Sequence, residues 1–409
     1  KNKKKETKKI IKLKRKQKAT KLKQYVLDFL GLEEPRINAL ATNIIDQLSN
    51  IDSNNTLDEI EDLEIQLEAI KYVIDQQSVD QKIEQETYKY YPDFNDQDFN
   101  EKIFNKKEFF VNRIPSINIE KKNGFLDIQS VSDKMCIKND KNPDMVLSNN
   151  QVFLRNFISP STPYNGILLF HGTGVGKTCS SISIAEEFSG ELLTYNKKII
   201  ILSNPSIKSN FMKNIFDINS VKKGKPLYQC TKDKYIKQLS LSKEELKKLK
   251  PEELKQKIFR RIRKKYDFFG YQEFANKIEK IVNKPIQPYL KNKFIKENIH
   301  DTFSNSVIII DEAHNIKQGN DMKKVPPMLE QVLKNSENTK LILLSATPMF
   351  DNATEIVWMM NLLLLNDKRP LISKNKIFKN DKITEEGKEI LLRKSKGYIS
   401  YLRGENILK

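Results

Sequence analysis

Three features of the sequence predict an α/β fold with a parallel sheet and flanking helices. After residue 148, short apolar runs bounded by turn residues alternate with stretches of helical periodicity. A glycine-rich turn follows the first run and opens a helix that ends near Gly190, and an acidic pair follows the run Val307–Ile310. Strands that are apolar throughout are buried on both faces, which is typical of a parallel sheet covered by helices. We therefore expect a doubly wound lobe.

The strands of this lobe are predicted from the apolar runs alone. Asp267 interrupts one of these runs, which makes it the weakest of the set. In chain order, the predicted strands are Ile167–Phe170, Ile199–Leu202, Tyr266–Phe269, Val307–Ile310 and Leu341–Leu344.

Composition divides the chain into four stretches. Residues 1–23 hold thirteen Lys or Arg against one Glu, which predicts a disordered basic arm. Residues 24–92 carry apolar positions at spacings of three and four, so we expect a helical module. Residues 93–147 are rich in Asp, Asn and Lys and are interpreted as a linker or the edge of the lobe. Residues 148–409 form the lobe itself, with a basic insertion at about 217–306.

The charge of the chain predicts a polyanionic partner. The formal net charge is +19, and residues 1–23 and 217–306 each contribute +12. Two basic zones on an otherwise acidic body favour nucleic acid, DNA or RNA, as the partner. The alternative is that these lysine-rich segments are solvated faces with no ligand.

Other features exclude a membrane protein and a disulfide scaffold. The longest apolar run, Ile356–Leu365, has ten residues, whereas a membrane-spanning helix needs about 20. No apolar segment follows the charged N-terminus, as a secretory signal would require. Cys136, Cys179 and Cys230 are far apart in sequence and match no zinc or disulfide spacing. We expect an intracellular, reducing location and no membrane partner.

A glycine-rich turn after the strand Ile167–Phe170 has the pattern of a phosphate-binding loop. Its glycines allow backbone N–H groups to point at phosphate oxygens, and the following helix N-terminus attracts negative charge. Lys177 would reach the β- and γ-phosphates of ATP, and the Thr178 hydroxyl would bind Mg²⁺. The first position of the pattern is His171 instead of glycine. The predicted nucleotide contacts are Gly172, Thr173, Gly174, Val175, Gly176, Lys177 and Thr178.

An acidic pair follows the strand Val307–Ile310, 134 residues after Lys177. Carboxylates at the carboxyl end of a buried strand lie where ligands bind in open α/β sheets. Asp311 would hold Mg²⁺, and Glu312 would polarise the attacking water. Lys177, Asp311 and Glu312 are therefore the predicted catalytic residues.

These motifs resemble those of the superfamily 2 DEAH-type helicases, whose ATP-binding lobe has a RecA-like P-loop fold. The phosphate loop matches motif I, and the other motifs follow in the order of that family over residues 148–350. The matching segments are Asp311-Glu312-Ala313-His314 for motif II, Leu344–Pro348 for motif III, Ser203–Ile207 with Asn210 for motif Ia, and Gly270–Phe274 for motif Ib.

The resemblance implies further roles for single residues. His314, Ser345 and Thr347 would couple the nucleotide state to the bound strand, and Gln151 would contact the adenine. Pro205, Ser206 and Asn210 would contact nucleic acid. Outside these motifs, Lys264 and Lys265 lie on a basic amphipathic helix whose apolar positions repeat every four residues. That helix either follows a nucleic-acid backbone or packs on the lobe with a solvated basic face.

Three runs resemble the helicases of nucleocytoplasmic large DNA viruses more closely, including the large subunit of the poxvirus early transcription factor. They are Phe170–Thr178, Ser345–Glu355 and Gly397–Glu405. The resemblance implies a role with viral transcription machinery, in the virion or the host cytoplasm. We also expect the second RecA-like lobe to be missing, since no arginine motif for the γ-phosphate follows Thr347. The alternative function is a catalytically weak protein that binds nucleotide and nucleic acid.

Overall fold

A computed structural model gives the fold of the chain. Contacts divide the chain into two compact units, residues 1–86 with 193–196 and residues 87–192 with 197–409. The predicted basic arm and nearly all of the predicted helical module lie outside the described residues. The structure describes residues 90–112, 121–122, 125–126, 146–217, 229–239, 250–316, 323–349, 353–379 and 382–403.

A six-stranded parallel sheet forms the centre of the second unit, with the strand order β10-β3-β7-β6-β4-β5. Two antiparallel hairpins, β1-β2 and β8-β9, lie outside this sheet. The strands are β1 (Lys121–Lys122), β2 (Phe125–Leu126), β3 (Gly166–His171), β4 (Ile199–Leu202), β5 (Tyr266–Phe269), β6 (Val307–Ile310), β7 (Lys340–Ser345), β8 (Phe378–Lys379), β9 (Lys382–Ile383) and β10 (Ile399–Leu402).

Helices connect successive strands of the sheet, as parallel pairing requires. The helices are α1 (Phe99–Asn105), α2 (Lys107–Phe110), α3 (Asn149–Phe157), α4 (Lys177–Glu187), α5 (Ser189–Thr194), α6 (Lys208–Ile215), α7 (Lys234–Lys237), α8 (Pro251–Lys265), α9 (Tyr271–Val282), α10 (Pro288–Phe303), α11 (Val325–Asn335), α12 (Glu355–Asn366), α13 (Lys374–Ile377) and α14 (Glu385–Ser395). Single turns of 3₁₀ helix span Pro205–Ile207 and Ala313–Ile316.

The predicted fold class is confirmed. Every residue of β4, β6 and β7 is buried, because helices cover both faces of the sheet. All five predicted strands are present. Since the strands are parallel, the segments that follow β3, β4, β5, β6 and β7 all emerge at one edge, the carboxyl edge of the sheet.

The edge strand β10 was not predicted from the apolar pattern. It is half-buried to exposed along its length, so the sequence Ile-Ser-Tyr-Leu lacks the continuous apolar run of the central strands. Its parallel pairing with β3 brings Ser400 beside Leu169 and Leu402 beside His171. The last described strand therefore lies directly against the strand that leads into the phosphate loop.

Residues 93–112, predicted as part of a linker or lobe edge, contribute aromatic side chains to the core of the lobe. The Phe94 ring stacks on Tyr398 with centroids 4.4 Å apart, and Phe99 packs edge-on against Phe157. The Tyr164 hydroxyl donates a hydrogen bond to the Pro92 carbonyl at 3.0 Å. The segment is rich in Asp, Asn and Lys, but aromatic side chains are interspersed among these polar residues and anchor it to the lobe.

The expectation of no disulfide is wrong for one pair of cysteines. Cys179 of α4 and Cys230 form a disulfide with 5.3 Å between their Cα atoms. They are 51 residues apart in sequence, and only the fold brings them together. Among the described residues, no cluster of His, Cys, Asp and Glu could hold a metal ion by itself. No helix in the described part of the chain is both long and apolar enough to cross a membrane.

Candidate nucleotide-binding site

The turn after β3 has the backbone of a phosphate-binding loop. Gly174 and Gly176 have φ angles of 78° and 85°, in the left-handed region that favours glycine. A Cβ atom on Gly176 would also lie 2.7 Å from the Gln151 side chain. Helix α4 begins at Lys177, so its free N–H groups and positive dipole end face the loop. The loop therefore has the backbone conformation and the helix N-terminus that a phosphate-binding site requires.

The Lys177 side chain forms hydrogen bonds with the backbone at the start of this loop. Its ammonium donates hydrogen bonds to the carbonyl oxygens of His171 at 2.8 Å and Gly172 at 2.9 Å. Burial lowers the pKa of Lys177, while the carboxylates of Glu312 and Asp311 act in the opposite direction. The two sequence motifs, 134 residues apart, thus meet in one electrostatic site.

Gln151 lies in the first turn of α3 and contacts the phosphate loop. Its Oε1 accepts a hydrogen bond from the Ser148 backbone at 2.9 Å, which completes a capping box at the start of α3. Its Nε2 donates to the Gly176 carbonyl at 3.3 Å. A carboxamide has two donor hydrogens and two acceptor lone pairs, so one of each is left for a ligand.

Asp311 is the first residue after β6 and is only 7% exposed. Its backbone N–H donates to the Leu202 carbonyl at 2.9 Å, which extends the pairing of β6 with β4 by one residue. Burial raises the pKa of Asp311 to about 6, and the neighbouring Glu312 carboxylate adds to this rise. A nearby cation would stabilise the ionised form of this carboxyl.

Glu312 has an uncommon backbone conformation. Its φ angle of 43° is left-handed, which costs a residue other than glycine about 1–2 kcal/mol. Its Oε2 is buried, lies 3.5 Å from His314 Nδ1, and has no hydrogen-bond partner among the described residues. Strained backbone and an unsatisfied carboxylate oxygen are concentrated at functional sites.

The predicted coupling residues are in contact with each other. His314 Nδ1 lies 2.9 Å from Ser345 Oγ, which joins the end of β6 to the end of β7. Ser345 Oγ also accepts a hydrogen bond from the Thr347 backbone at 3.1 Å. The acidic pair and the Ser345–Thr347 turn are therefore linked through a single hydroxyl.

His171, the departure from the usual loop pattern, is buried at the end of β3. Its Nε2 lies 2.9 Å from Ser400 Oγ on β10, and its Nδ1 has no partner among the described residues. Burial lowers the pKa of His171 to about 4, and the Lys177 charge adds to this effect. The Ser400 contact was not predicted, because β10 was not recognised as a strand.

The predicted nucleic-acid contacts from motif Ia lie at the carboxyl edge. Pro205 and Ser206 form an exposed 3₁₀ turn just after β4, and Asn210 is exposed on the first turns of α6. A Cβ atom on Gly270, the residue that follows β5, would lie 3.8 Å from the Pro205 ring. Motif Ia and the motif Ib-like segment are thus neighbours beside the nucleotide site.

Lys264 and Lys265, the other two predicted nucleic-acid contacts, lie away from the carboxyl edge. They immediately precede Tyr266, the first residue of β5, which places them at the amino edge of the sheet. Lys265 is only 7% exposed and lies over the Tyr235 ring at 5.3 Å, so its ammonium cannot contact a nucleic-acid backbone. The sequence pattern of α8 marked the basic residues but not which of them turn inward.

The buried carboxylate of Glu186 explains why the Lys265 side chain is buried. Glu186 accepts hydrogen bonds of 2.6 Å from the hydroxyls of both Tyr235 and Tyr266, and lies 2.7 Å from Lys234. Burial alone would raise the pKa of Glu186, but the charges of Lys234 and Lys265 hold it at about 2. The insertion is anchored to helix α4 by this cluster and by the Cys179–Cys230 disulfide.

The donor set fits ATP and Mg²⁺. Mg²⁺ prefers oxygen ligands. The Thr178 hydroxyl follows β3 and the Asp311 carboxylate follows β6, and both strands end at the carboxyl edge of the sheet. The left-handed glycines shape a loop for phosphate, and the unsatisfied Glu312 oxygen is available to a water molecule.

Comparison with known proteins assigns the family. The profile of the family described as type III restriction enzyme, res subunit, matches residues 144–350, which is half of the chain. The chain belongs to this family. The matched range begins before Gln151 and ends after Thr347, so it contains all the motifs described above. The described lobe is accordingly the ATP-binding lobe of a superfamily 2 ATPase.

Proteins from viruses are among the relatives. A protein of Acanthamoeba polyphaga mimivirus that carries the name of an ATP-dependent RNA helicase is 29% identical over 341 residues, which cover 78% of this chain and 27% of that protein. An early transcription factor large subunit homolog of African swine fever virus is 22% identical over 64% of this chain and 28% of that protein. The chain spans about a quarter of the length of each of these two relatives.

A solved structure is also similar. The Sulfolobus solfataricus SWI2/SNF2 ATPase core in complex with dsDNA has a TM-score of 0.36 and 15% identity, over 64% of this chain and 45% of that chain. A TM-score this low is too weak to support any inference.

Proposed function

We propose that the chain is the ATP-hydrolysing part of a helicase or translocase that moves on DNA or RNA. One observation carries this proposal. Lys177 follows β3, Asp311 and Glu312 follow β6, and the Pro205–Ile207 turn follows β4, so all of them lie at the carboxyl edge of the parallel sheet. Nucleotide chemistry and a surface for a nucleic-acid strand therefore lie side by side.

The residues of the site divide the work of phosphoryl transfer to water. The loop from Gly172 to Gly176 binds phosphate oxygens through backbone N–H groups, and Lys177 neutralises the β- and γ-phosphates. Thr178 and Asp311 hold Mg²⁺, which supplies charge neutralisation at the phosphates when bound. Glu312 orients and polarises the attacking water through its free Oε2.

Two further roles are proposed for residues around this centre. The hydrogen bond between His314 and Ser345 links the water-activating segment to the Ser345–Thr347 turn, so it couples the nucleotide state to the bound strand. Gln151 contacts adenine with the donor and the acceptor that its present hydrogen bonds leave over.

The strand is proposed to pass along Pro205, Ser206 and Asn210. A second RecA-like lobe would complete the site by providing arginines to the γ-phosphate, and such arginines contribute about 10³–10⁵ in rate in related enzymes. The viral relatives support a role with viral transcription machinery, in the virion or the host cytoplasm.

The test is the ATPase rate of the full-length gene product with and without single-stranded DNA, RNA and duplex DNA. We expect at least one of these to stimulate turnover. Ser206→Glu, which adds negative charge at the carboxyl edge, should weaken the stimulation. Lys264→Glu, a larger charge change at the amino edge, is the matched control and should leave it intact.

Two outcomes would overturn the proposal. Turnover that no nucleic acid stimulates would contradict a motor function, and nucleotide binding without turnover would favour a catalytically weak binding protein. Loss of stimulation in Lys264→Glu with none in Ser206→Glu would place the strand at the opposite edge of the sheet.

A further inference from the structure

Tyr271 makes a contact with the acidic motif that the functions above do not use. It is the first residue of α9, directly after β5, and its ring is 5% exposed. Its hydroxyl donates a hydrogen bond of 2.5 Å to the backbone carbonyl of Asp311. Burial raises the pKa of Tyr271, so the hydroxyl stays protonated and remains a donor.

The accepting carbonyl belongs to the peptide group that joins Asp311 to Glu312. The orientation of this peptide plane, together with the φ angle of Glu312, sets the direction in which the Glu312 Cα–Cβ bond leaves the backbone. That φ angle is 43°, a conformation that a residue other than glycine keeps only when its surroundings hold it. The hydrogen bond from the Tyr271 hydroxyl to the Asp311 carbonyl is positioned to stabilise this conformation of Glu312.

Tyr271 also lies next to the proposed strand-binding surface. A Cβ atom on Gly270, its neighbour in the chain, would lie 3.8 Å from Pro205 of the 3₁₀ turn. The Ser203 backbone N–H donates to the Phe269 carbonyl at 3.1 Å, so the ends of β4 and β5 are joined there. If a bound nucleic-acid strand displaces the ends of β4 and β5, the Tyr271 hydrogen bond transmits that displacement to the Asp311–Glu312 peptide group.

We propose that Tyr271 is a positioning residue that sets the orientation of Glu312 in response to nucleic acid bound at the carboxyl edge. The proposal rests on the proposed function, in which Glu312 activates water and the Pro205–Ile207 turn contacts the strand. It assigns no bond-breaking step to Tyr271, whose hydroxyl acts only through the backbone.

The experiment compares Tyr271→Phe with Tyr266→Phe in the full-length protein. Each substitution removes one buried hydroxyl that donates a hydrogen bond. The Tyr266 hydroxyl, however, donates to Glu186, which belongs to helix α4 and is far in sequence from the acidic motif. For each variant, kcat and KM for ATP are measured with and without saturating single-stranded RNA and DNA. Thermal unfolding of each variant verifies folding.

For Tyr271→Phe we expect the nucleic-acid-stimulated kcat to fall about tenfold, as for loss of one buried hydrogen bond beside a reacting group. KM for ATP should stay within about twofold, because the phosphate loop is untouched. Tyr266→Phe should keep the stimulated kcat even if its stability falls.

Wild-type stimulated kcat in Tyr271→Phe would overturn the proposal, and so would an equal loss in Tyr266→Phe. Glu312→Gln, measured alongside, separates the two levels of the interpretation. If Glu312→Gln is inactive while Tyr271→Phe is normal, only the positioning role fails. If Glu312→Gln turns over ATP normally, the proposed function itself fails.

Discussion

His171 replaces the glycine with which a phosphate loop usually begins, and its burial explains how the loop accommodates it. The imidazole is 1% exposed and points to Ser400 on β10 instead of toward the loop. Since its pKa is lowered to about 4, the ring is neutral at pH 7 and adds no positive charge beside Lys177. The residue thus connects two strands, while the loop keeps its glycines at positions 174 and 176.

The lowered pKa of His171 predicts a stability loss in acid. The unfolded chain protonates a histidine near pH 6.5, but the folded protein does so only near pH 4, so stability is lost as the pH falls between these values. At about pH 5 this loss amounts to about 2 kcal/mol. His171→Gln lacks the titrating group, so urea unfolding at about pH 7 and about pH 5 should give it a smaller pH dependence than wild type. Equal pH dependence in the two proteins would contradict the assignment.

At the residue scale, the sequence predicted the residue types of the site and not their conformations. Gly174, Gly176, Lys177 and the acidic pair follow from motif spacing, because phosphate binding and strand ends impose those types. The left-handed backbone of Glu312 and the Tyr271 hydrogen bond depend on contacts between segments about 40 residues apart. No local pattern encodes them.

Helix α8 illustrates what periodicity can and cannot predict for an element. Its apolar positions Leu254, Ile258 and Ile262 are buried, as the spacing of four indicates. Lys265 is buried as well, although its charge favours the solvent, because Glu186 on α4 provides a buried carboxylate. A long-range ion cluster therefore overrides the local amphipathic pattern.

The buried position of Lys265 predicts a clear difference between two adjacent lysines. Lys265→Met removes one of two cations that stabilise the Glu186 carboxylate, so it should lower the free energy of unfolding by about 1–3 kcal/mol. Lys264→Met, half-exposed on the same helix, should change it by less than about 0.5 kcal/mol. Urea unfolding of both variants is the measurement. Equal effects would mean that Lys265 is not an internal counterion.

The strands were predictable to the extent that they are covered on both sides. β4, β6 and β7 are fully buried, and their apolar runs predicted them to within one or two residues at each end. The edge strand β10 is covered less and was missed. The aromatic residues of α1 and α2, whose local sequence is polar, were placed in a linker or lobe edge although Phe99 and Phe109 are buried.

Across the lobe, the proposed nucleotide-binding motifs and the end of the basic helix α8 lie at opposite edges of the sheet. The carboxyl edge holds the phosphate loop, the acidic pair and motif Ia, while α8 ends at the amino edge with part of the basic insertion. Residues 217–306 carry a net charge of +12. Two of their lysines, Lys234 and Lys265, stabilise the buried Glu186 carboxylate inside the lobe. The insertion therefore contributes less to a nucleic-acid surface than its composition indicates.

The basic arm, residues 1–23, carries the other +12 and predicts a salt effect from its charge alone. Each phosphate that it neutralises contributes about −0.9 to the slope of log K against log salt on duplex DNA. Deletion of residues 1–23 from the full-length protein should flatten this slope and leave ATP binding unchanged. Fluorescence anisotropy over a salt series is the measurement, and an unchanged slope would mean that the arm does not contact the nucleic acid.

The central claim is that ATP is bound and hydrolysed at the carboxyl edge of the sheet, with binding assigned to Lys177 and water activation to Glu312. The most direct measurement is ATP–Mg²⁺ affinity together with single-turnover hydrolysis in full-length Lys177→Ala and Glu312→Gln. Lys177→Ala should bind at least about tenfold more weakly, because a charge-assisted contact to phosphate is lost. Glu312→Gln should bind as wild type does and hydrolyse about 10²–10⁴ times more slowly. Hydrolysis at the wild-type rate by Glu312→Gln would contradict the claim.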